Sequence, residues 1–445
     1  MNSSIVLAAE TARPLILVVD DEDAICSSLE GVLKDENFNT KRALSGEEAL
    51  EIVKTYRPEL VFLDMWMPGW DGIETLERIK QAVPKTQVVM ISGHATIANA
   101  MEALKRGAMD FVEKPFDINS VVRLVNLALE RKEQTDSPDI KISNDRYLSK
   151  HLGFSSTGWK GPNYGQRTIK ESLVIYGQGL HSGIKSGLIL EPLPKDSGIH
   201  FAEIGGSEPA PVFVDFVGST DFATTVRKGN TSISTIEHLM SALHAYKISN
   251  LLIKCNGEIP VIDGSALRFC ELIESVGLEE QGGDWYAIQV QEEISFCKPG
   301  KVNQDGKLLI EQITVAPSDV LEIEYILDYP KPVGRQVAKF ILSDAETYKK
   351  EIAPARTFGF IKDIERLQKA GLAAGGRLDN FILIGPEGVV NTQTRFENEL
   401  SRHKILDLIG DIFLLGRPVL AKITAHMTGH SDNIAIARKI KDFAI

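Results

Sequence analysis

His403, Asp407 and Asp411 stand at i, i+4 and i+8 of one stretch with helical periodicity. Residues four apart face the same way, so all three share one side of the helix. An imidazole and a carboxylate one turn apart can bind the same ion. A third ligand must come from elsewhere, and His238 is a candidate, in Ser-Thr-Ile-Glu-His-Leu with Glu237 beside it. Three protein ligands and one open position form the catalytic arrangement of zinc. A neighbouring carboxylate then serves as general base toward a water. His430, after Gly429, could be the general acid. His-x-x-x-Asp also arises by chance on amphipathic helices, and spacing alone does not bring His238 to His403.

A second group of acids lies near the N-terminus. Asp20 and Asp21 follow the apolar run Leu15–Val19, and Asp64 ends Leu60–Leu63. Ser92 ends Val88–Ile91, and Lys114 follows Phe111–Val112. In a doubly wound sheet, ligands collect at the carboxyl ends of the strands. Three carboxylates meeting there repel one another unless a cation joins them. Hard oxygen ligands with open water positions suit Mg²⁺. A hydroxyl and an ammonium around one carboxylate could stabilise phosphoryl oxygens.

The elements that must position these groups fall into two textures. From residue 15 to 131 the short apolar runs alternate with helical segments near Ala24–Lys34, Gly46–Tyr56, Gly72–Ala82, Ile97–Gly107 and Ile118–Lys132. Such alternation predicts an α/β doubly wound, flavodoxin-like parallel sheet covered on both faces. Residues 132–167 are polar and poor in apolar side chains, and are expected to be a linker. Trp159 and its apolar neighbours Tyr147, Leu148, Leu152 and Phe154 could still dock there. From Thr168 onward, strands with Gly and Pro turns dominate. The helices expected are Ile233–Tyr246, Ser265–Val276, Phe360–Ala370 and Glu399–Leu415. This is an α+β pattern, and a break near Glu279–Trp285 divides it into 168–282 and 283–445. Gly177-Gln-Gly-Leu-His-Ser-Gly183 hints at a dinucleotide loop, but its spacing is wrong and no helix follows.

The chain has 445 residues, 43% hydrophobic and 25% charged, with 49 basic and 61 acidic side chains and a net charge of −12. At roughly 150 residues per domain this length suggests about three domains. The acidic balance argues against a general nucleic-acid or anionic-membrane surface. No uncharged apolar run reaches the ~18 residues of a membrane span. Cys26, Cys255, Cys270 and Cys297 form no C-x-x-C pair. A reduced, cytoplasmic setting is therefore expected.

Residues 14–131 resemble the receiver domain of bacterial response regulators, most closely the nitrogen-regulation type around Met90–Ala95 and Asp110–Phe116. The resemblance implies that Asp64 accepts a phosphoryl group from a histidine kinase. Asp20, Asp21 and Asp64 would hold Mg²⁺, with the Trp66 carbonyl as a further ligand. Ser92 and Phe111 would be the switch pair, Lys114 would contact the phosphoryl group, and the Lys114–Pro115 bond would be cis. Receivers of this kind could also pair two copies as a homodimer, here through Ile118–Arg131.

Residues from about Gln166 onward resemble UDP-3-O-acyl-N-acetylglucosamine deacetylases of lipid A synthesis. The matching segments are Gly179–Gly183, Ser234–Leu243, Ile262–Ala266, Ala355–Phe360, Arg402–Asp407 and Gly429-His430. That family folds as two layered α/β units, a two-unit sandwich with the site between them. By resemblance, His238, His403 and Asp407 hold Zn²⁺, and Glu237 deprotonates the attacking water. Thr357 stabilises the oxyanion, His430 protonates the leaving amine, and Asp411 orients His430. Lys404, Phe358 and Asp363 would contact substrate, and Lys307, or alternatively Lys301, its diphosphate. The resulting expectation is a deacetylase regulated by its receiver. The alternative is a signalling protein whose deacetylase-like part is an inactive, partner-binding output.

Overall fold

The computed structural model describes residues 14–92, 102–114, most of 121–129, 159–204, 208–302, 308–363, 374–377 and 380–444. The Lys114–Pro115 bond, Lys307 and the residues from Tyr147 to Phe154 lie outside that set. So do parts of the helices expected at 97–107, 118–132 and 360–370. The chain divides into two compact units, 1–138 and 139–445.

In the first unit, β1 (Leu15–Val19), β2 (Asn39–Ala43), β3 (Leu60–Asp64), β4 (Gln87–Ser92) and β5 (Asp110–Glu113) form a sheet in the order β2-β1-β3-β4-β5. Every pairing is parallel. Helices α1 (Asp23–Asp35), α2 (Gly46–Tyr56) and α3 (Gly72–Ala82) connect strands of the sheet. The order of connections reverses between β1 and β3, which opens a crevice at their carboxyl ends. The central strands are buried apolar runs, as parallel sheets require. Strand β2 escapes a hydrophobicity reading because it is an edge strand of sequence Asn-Thr-Lys-Arg-Ala with only Ala43 buried.

The second unit contains two larger sheets around one continuous apolar core. Its strands begin earlier than the composition suggests. β6 (Lys160–Asn163) falls inside the stretch expected to be linker, and it pairs antiparallel with β11 (Tyr286–Gln289). Trp159 is buried and stacks on Phe443 at 5.3 Å, so the end of that stretch is docked. One sheet holds β7 (Leu173–Gln178), β8 (Lys185–Pro192), β9 (Ile199–Ala202) and β10 (Leu251–Cys255). β7 and β8 form an antiparallel hairpin around Gly179–Gly183, which removes any dinucleotide-loop reading of those glycines. The other sheet is mixed. It joins β6 and β11 to β12 (Ile294–Val302), β13 (Leu308–Ala316), β14 (Leu321–Asp328), β15 (Arg335–Ile341) and β16 (Val419–His426).

Helices α4 (Glu237–Ala245), α5 (Leu267–Val276), α6 (Ala345–Glu351), α7 (Glu399–Ile412) and α8 (His430–Ala444) complete the unit. α7 is buried almost all round and packs along α4. Gly410 is the reason they come so close: a Cβ there would lie 2.1 Å from the Glu237 carbonyl oxygen. α8 was not expected from the sequence. Its signal is present, since Ile434, Ala437, Ile440 and Ala444 recur at near-helical spacing and are buried.

Candidate functional site

The close approach of α4 and α7 sets the geometry of the site. His238 sits in the first turn of α4, and His403 and Asp407 lie one turn apart on α7. One ligand atom from each of the three falls within 4.8 Å of the other two, and all three residues are buried. The imidazoles meet edge to face, centroids 5.0 Å apart. The Ala355 carbonyl, 3.1 Å from His403 Nδ1, fixes that ring with Nε2 turned to the centre. His403 Nε2 and His238 Nε2 lie 3.3 and 3.7 Å from Asp407 Oδ1. Asp407 Oδ2 accepts from Lys404 Nζ at 2.9 Å, but the buried Oδ1 has no hydrogen-bond partner among the described residues.

A buried, unpartnered carboxylate oxygen is costly unless something positive completes it. Burial, reinforced by the neighbouring His403, drops His238 to about 3, and burial also lowers His403. Both rings are therefore neutral, as metal ligation requires. For Asp407, burial works upward, yet the adjoining His403 ring and the Lys404 and His430 cations outweigh it and hold the carboxyl far below its usual range. Two neutral imidazoles and one ionised carboxylate with a vacant oxygen suit a small divalent cation.

Beside these donors lies an acid–base pair. Burial pushes the Glu237 carboxyl up to about 7. Its Oε1 lies 3.8 Å from His430 Nε2. Burial alone would lower His430, but Asp411 and Glu237 outweigh it and lift the imidazolium to about 10. His430 Nδ1 hydrogen-bonds Asp411 Oδ2 at 2.9 Å, and Asn433 Nδ2 donates to the same oxygen at 2.9 Å. Asp411, the third member of the i, i+4, i+8 series, thus turns toward His430 and away from the metal donors.

A cavity of about 390 Å³ opens onto these groups. Thr357, Phe358, Asp363, Lys404 and His181 line it, as does Tyr329, whose ring meets Phe358 and Phe360 edge to face. Two β-branched residues near it are forced into left-handed backbone, Thr235 at φ +57° and Ile262 at φ +56°. Such positions store roughly 1–3 kcal/mol each and cluster at functional sites. Thr235 is held by its hydroxyl, which donates to Glu258 Oε1 at 2.9 Å. Glu258 also accepts from the His181 and Ser182 amides, anchoring the glycine hairpin against the cavity.

Sequence reasoning missed Glu258, Asn433, Thr224 and the buried Arg356–Glu399 pair, 2.9 Å apart beside Thr357. Asn433 could have been found by recognising α8, because it lies one turn after His430. The others carry no local signal.

In the first unit, Asp20 and Asp64 are buried at the ends of β1 and β3. Lys114 Nζ bridges them, 2.5 Å from Asp20 Oδ2 and 2.7 Å from Asp64 Oδ1. Its ammonium marks the place where the cluster needs positive charge. Asp64 Oδ2 accepts from the Trp66 amide at 2.8 Å. Burial raises Asp64, outweighing Lys114 and that amide. Asp21 is exposed at the rim, and Ser92 and Phe111 are fully buried. Gly72 lies under the turn that follows β3, where a Cβ would come within 2.3 Å of the Asp64 carbonyl oxygen.

Residues 166–442 match the family model of UDP-3-O-acyl N-acetylglycosamine deacetylase, and residues 16–126 match that of the response regulator receiver domain. The UDP-3-O-acyl-N-acetylglucosamine deacetylase of Chlamydia pneumoniae is 39% identical over 284 residues, covering 62% of this chain and 96% of that protein. Its counterpart in Myxococcus xanthus is 36% identical over 282 residues, covering 62% and 87%. The receiver domain of NtrX from Brucella abortus is 44% identical, covers 26% of this chain and 98% of that one, and has a TM-score of 0.25.

Proposed function

The chain belongs to the UDP-3-O-acyl N-acetylglycosamine deacetylase family and carries a response-regulator receiver domain ahead of it, and we propose that it hydrolyses the N-acetyl group of UDP-3-O-acyl-N-acetylglucosamine under receiver control. The observation that carries the enzymatic reading is the vacant Asp407 Oδ1 between two neutral imidazoles, with a base and an acid beside it.

His238, His403 and Asp407 would hold Zn²⁺, the metal best matched to two imidazoles and one carboxylate. When bound, that ion supplies Lewis-acid polarisation of the acetamide and acidifies a water. Glu237, raised to about 7, takes the proton from the attacking water. The water oxygen bonds to the acetyl carbon, and the carbonyl electrons move to oxygen. Thr357, on the cavity wall, faces that developing charge. His430 keeps its proton until the C–N bond breaks and then gives it to the leaving amine, releasing acetate. Asp411 holds the ring in the donating orientation. Lys404, Phe358 and Asp363 position the rest of the substrate from the cavity wall.

In the receiver, a histidine kinase would transfer a phosphoryl group to Asp64. Asp20, Asp64 and the rim residue Asp21 would hold Mg²⁺. Lys114 would then exchange a carboxylate oxygen for a phosphoryl oxygen, and Ser92 and Phe111 would report the change. Among the described residues no helix is long and apolar enough to cross a membrane.

The test is acetate release by the purified, zinc-loaded full chain from UDP-3-O-acyl-N-acetylglucosamine, with one free amine formed per acetate. No turnover, with one zinc bound and the fold intact, would sink the enzymatic reading and favour an inert output.

A further inference from the structure

Thr224 belongs to neither the ligand set nor the acid–base pair, yet it touches Glu237 and also Asp411, the carboxylate that holds His430. It is fully buried. Its amide donates to Glu237 Oε2 at 3.1 Å. Its hydroxyl donates to Asp411 Oδ1 at 2.6 Å, across 187 positions of chain. Its carbonyl accepts from the Ile236 amide at 3.4 Å, tying it to the turn that leads into α4. The preceding turn is strained into place, with Phe222 at φ +63° on the cavity wall.

These contacts divide the carboxylate oxygens cleanly. Glu237 presents Oε2 to Thr224 and leaves Oε1 toward His430. Asp411 presents Oδ1 to Thr224 and Oδ2 to His430 and Asn433. A hydrogen bond at one oxygen restrains the carboxylate against rotation and so biases the aim of its other oxygen. We infer that Thr224 is the positioning residue of the deacetylation chemistry: a single strut that sets the orientation of both the Glu237 and the Asp411 carboxylates. The inference rests on the roles proposed above for Glu237, Asp411 and His430.

The hydroxyl contact can be removed by itself, because the amide contact to Glu237 survives any substitution except proline. Thr224→Val deletes the donor and keeps the branched shape. Thr224→Ser keeps the donor and loses a methyl group. A hydrogen bond to a charged group is worth enough to change a rate by about tenfold or more. The expected result is that Thr224→Val lowers kcat about tenfold, leaves KM within about twofold, and still binds one zinc per chain. Thr224→Ser should recover most of that kcat.

An independent readout is the Nδ1 proton of His430, followed by NMR in ¹⁵N-histidine-labelled full chain, with Asp411→Asn used to assign it. That signal should move or broaden in Thr224→Val and return in Thr224→Ser. It does not depend on turnover, so a failed enzymatic reading and a failed positioning role are separable. Wild-type kcat with an unmoved proton in Thr224→Val overturns the inference. Equal damage in both variants, or loss of zinc along with kcat, also overturns it, because Thr224 would then be packing alone.

Discussion

At the receiver site the ammonium of Lys114 lies within 2.7 Å of both Asp20 and Asp64, and its side chain is 19% exposed. At the deacetylase site Lys404 satisfies one oxygen of Asp407 and leaves the other without a hydrogen-bond partner among the described residues, beside the buried His238 and His403. The first cluster carries its own cation on a flexible stem that can swing when a phosphoryl group arrives. The second is built from side chains locked on two packed helices, and among the described residues no group completes it. One arrangement suits a switch, which must rearrange. The other suits a fixed electrostatic environment, which gains by not rearranging.

The largest effect should separate the two sites outright. Chelation, or His403→Ala, is expected to abolish deacetylation, by at least ~10³-fold, while phosphoryl uptake on Asp64 in Mg²⁺ stays intact. Zinc should also raise the unfolding temperature of the second unit, by about 2.7 kcal/mol of stabilisation at 100 times its Kd. Deacetylase activity that survives complete metal removal would end the metal reading. Next in size is Glu237→Gln, which keeps the shape and loses the base. A kcat lower by ~10²–10⁴ at full zinc occupancy is the expected outcome. An unchanged kcat would move the base elsewhere.

The pH profile sharpens the same point. As the proposed base, Glu237 would act only when ionised, so the rate should rise as pH climbs toward about 7. His430 acts only when protonated, so the rate should fall as pH climbs through about 10. Each limb changes about tenfold per pH unit. A bound cation favours ionised Glu237 and moves the rising limb lower. His430→Ala should erase the falling limb; a falling limb that persists would assign it to another group.

How far these sites could be read from sequence differs for a physical reason. A parallel sheet brings its strand ends to one edge by topology alone. Asp20, Asp64, Ser92 and Lys114 were therefore legible once Leu15–Val19, Leu60–Leu63, Val88–Ile91 and Phe111–Val112 were recognised as buried strands. Even there β2 was lost, because an edge strand need not be apolar. The deacetylase site joins three helices and a loop whose meeting no local pattern encodes. Periodicity placed His403, Asp407 and Asp411 on one face and could not separate them; the resemblance paired Asp411 with His430, and in the fold the two lie 2.9 Å apart. Gly410 and Thr224 were invisible, since each acts across more than a hundred residues.

The smallest expected effect tests whether the two regions communicate. Asp64→Asn should abolish phosphoryl incorporation completely. In the unmodified state it should leave kcat near wild type, because no deacetylase group is altered. Loading Asp64 of the native chain with a phosphoryl mimic such as beryllofluoride should instead shift the deacetylation rate severalfold. Allosteric couplings of about 1–3 kcal/mol correspond to ~5–150-fold. The mimic is expected to draw Lys114 toward itself and weaken the bridge to Asp20, the local rearrangement a two-state element needs. The control is Lys114→Met, which should bind the mimic yet lose most of the rate response. A response that survives in Lys114→Met would remove this lysine from the switch. No response in the native chain, with the mimic bound, would reduce the receiver to a tether on a constitutive enzyme.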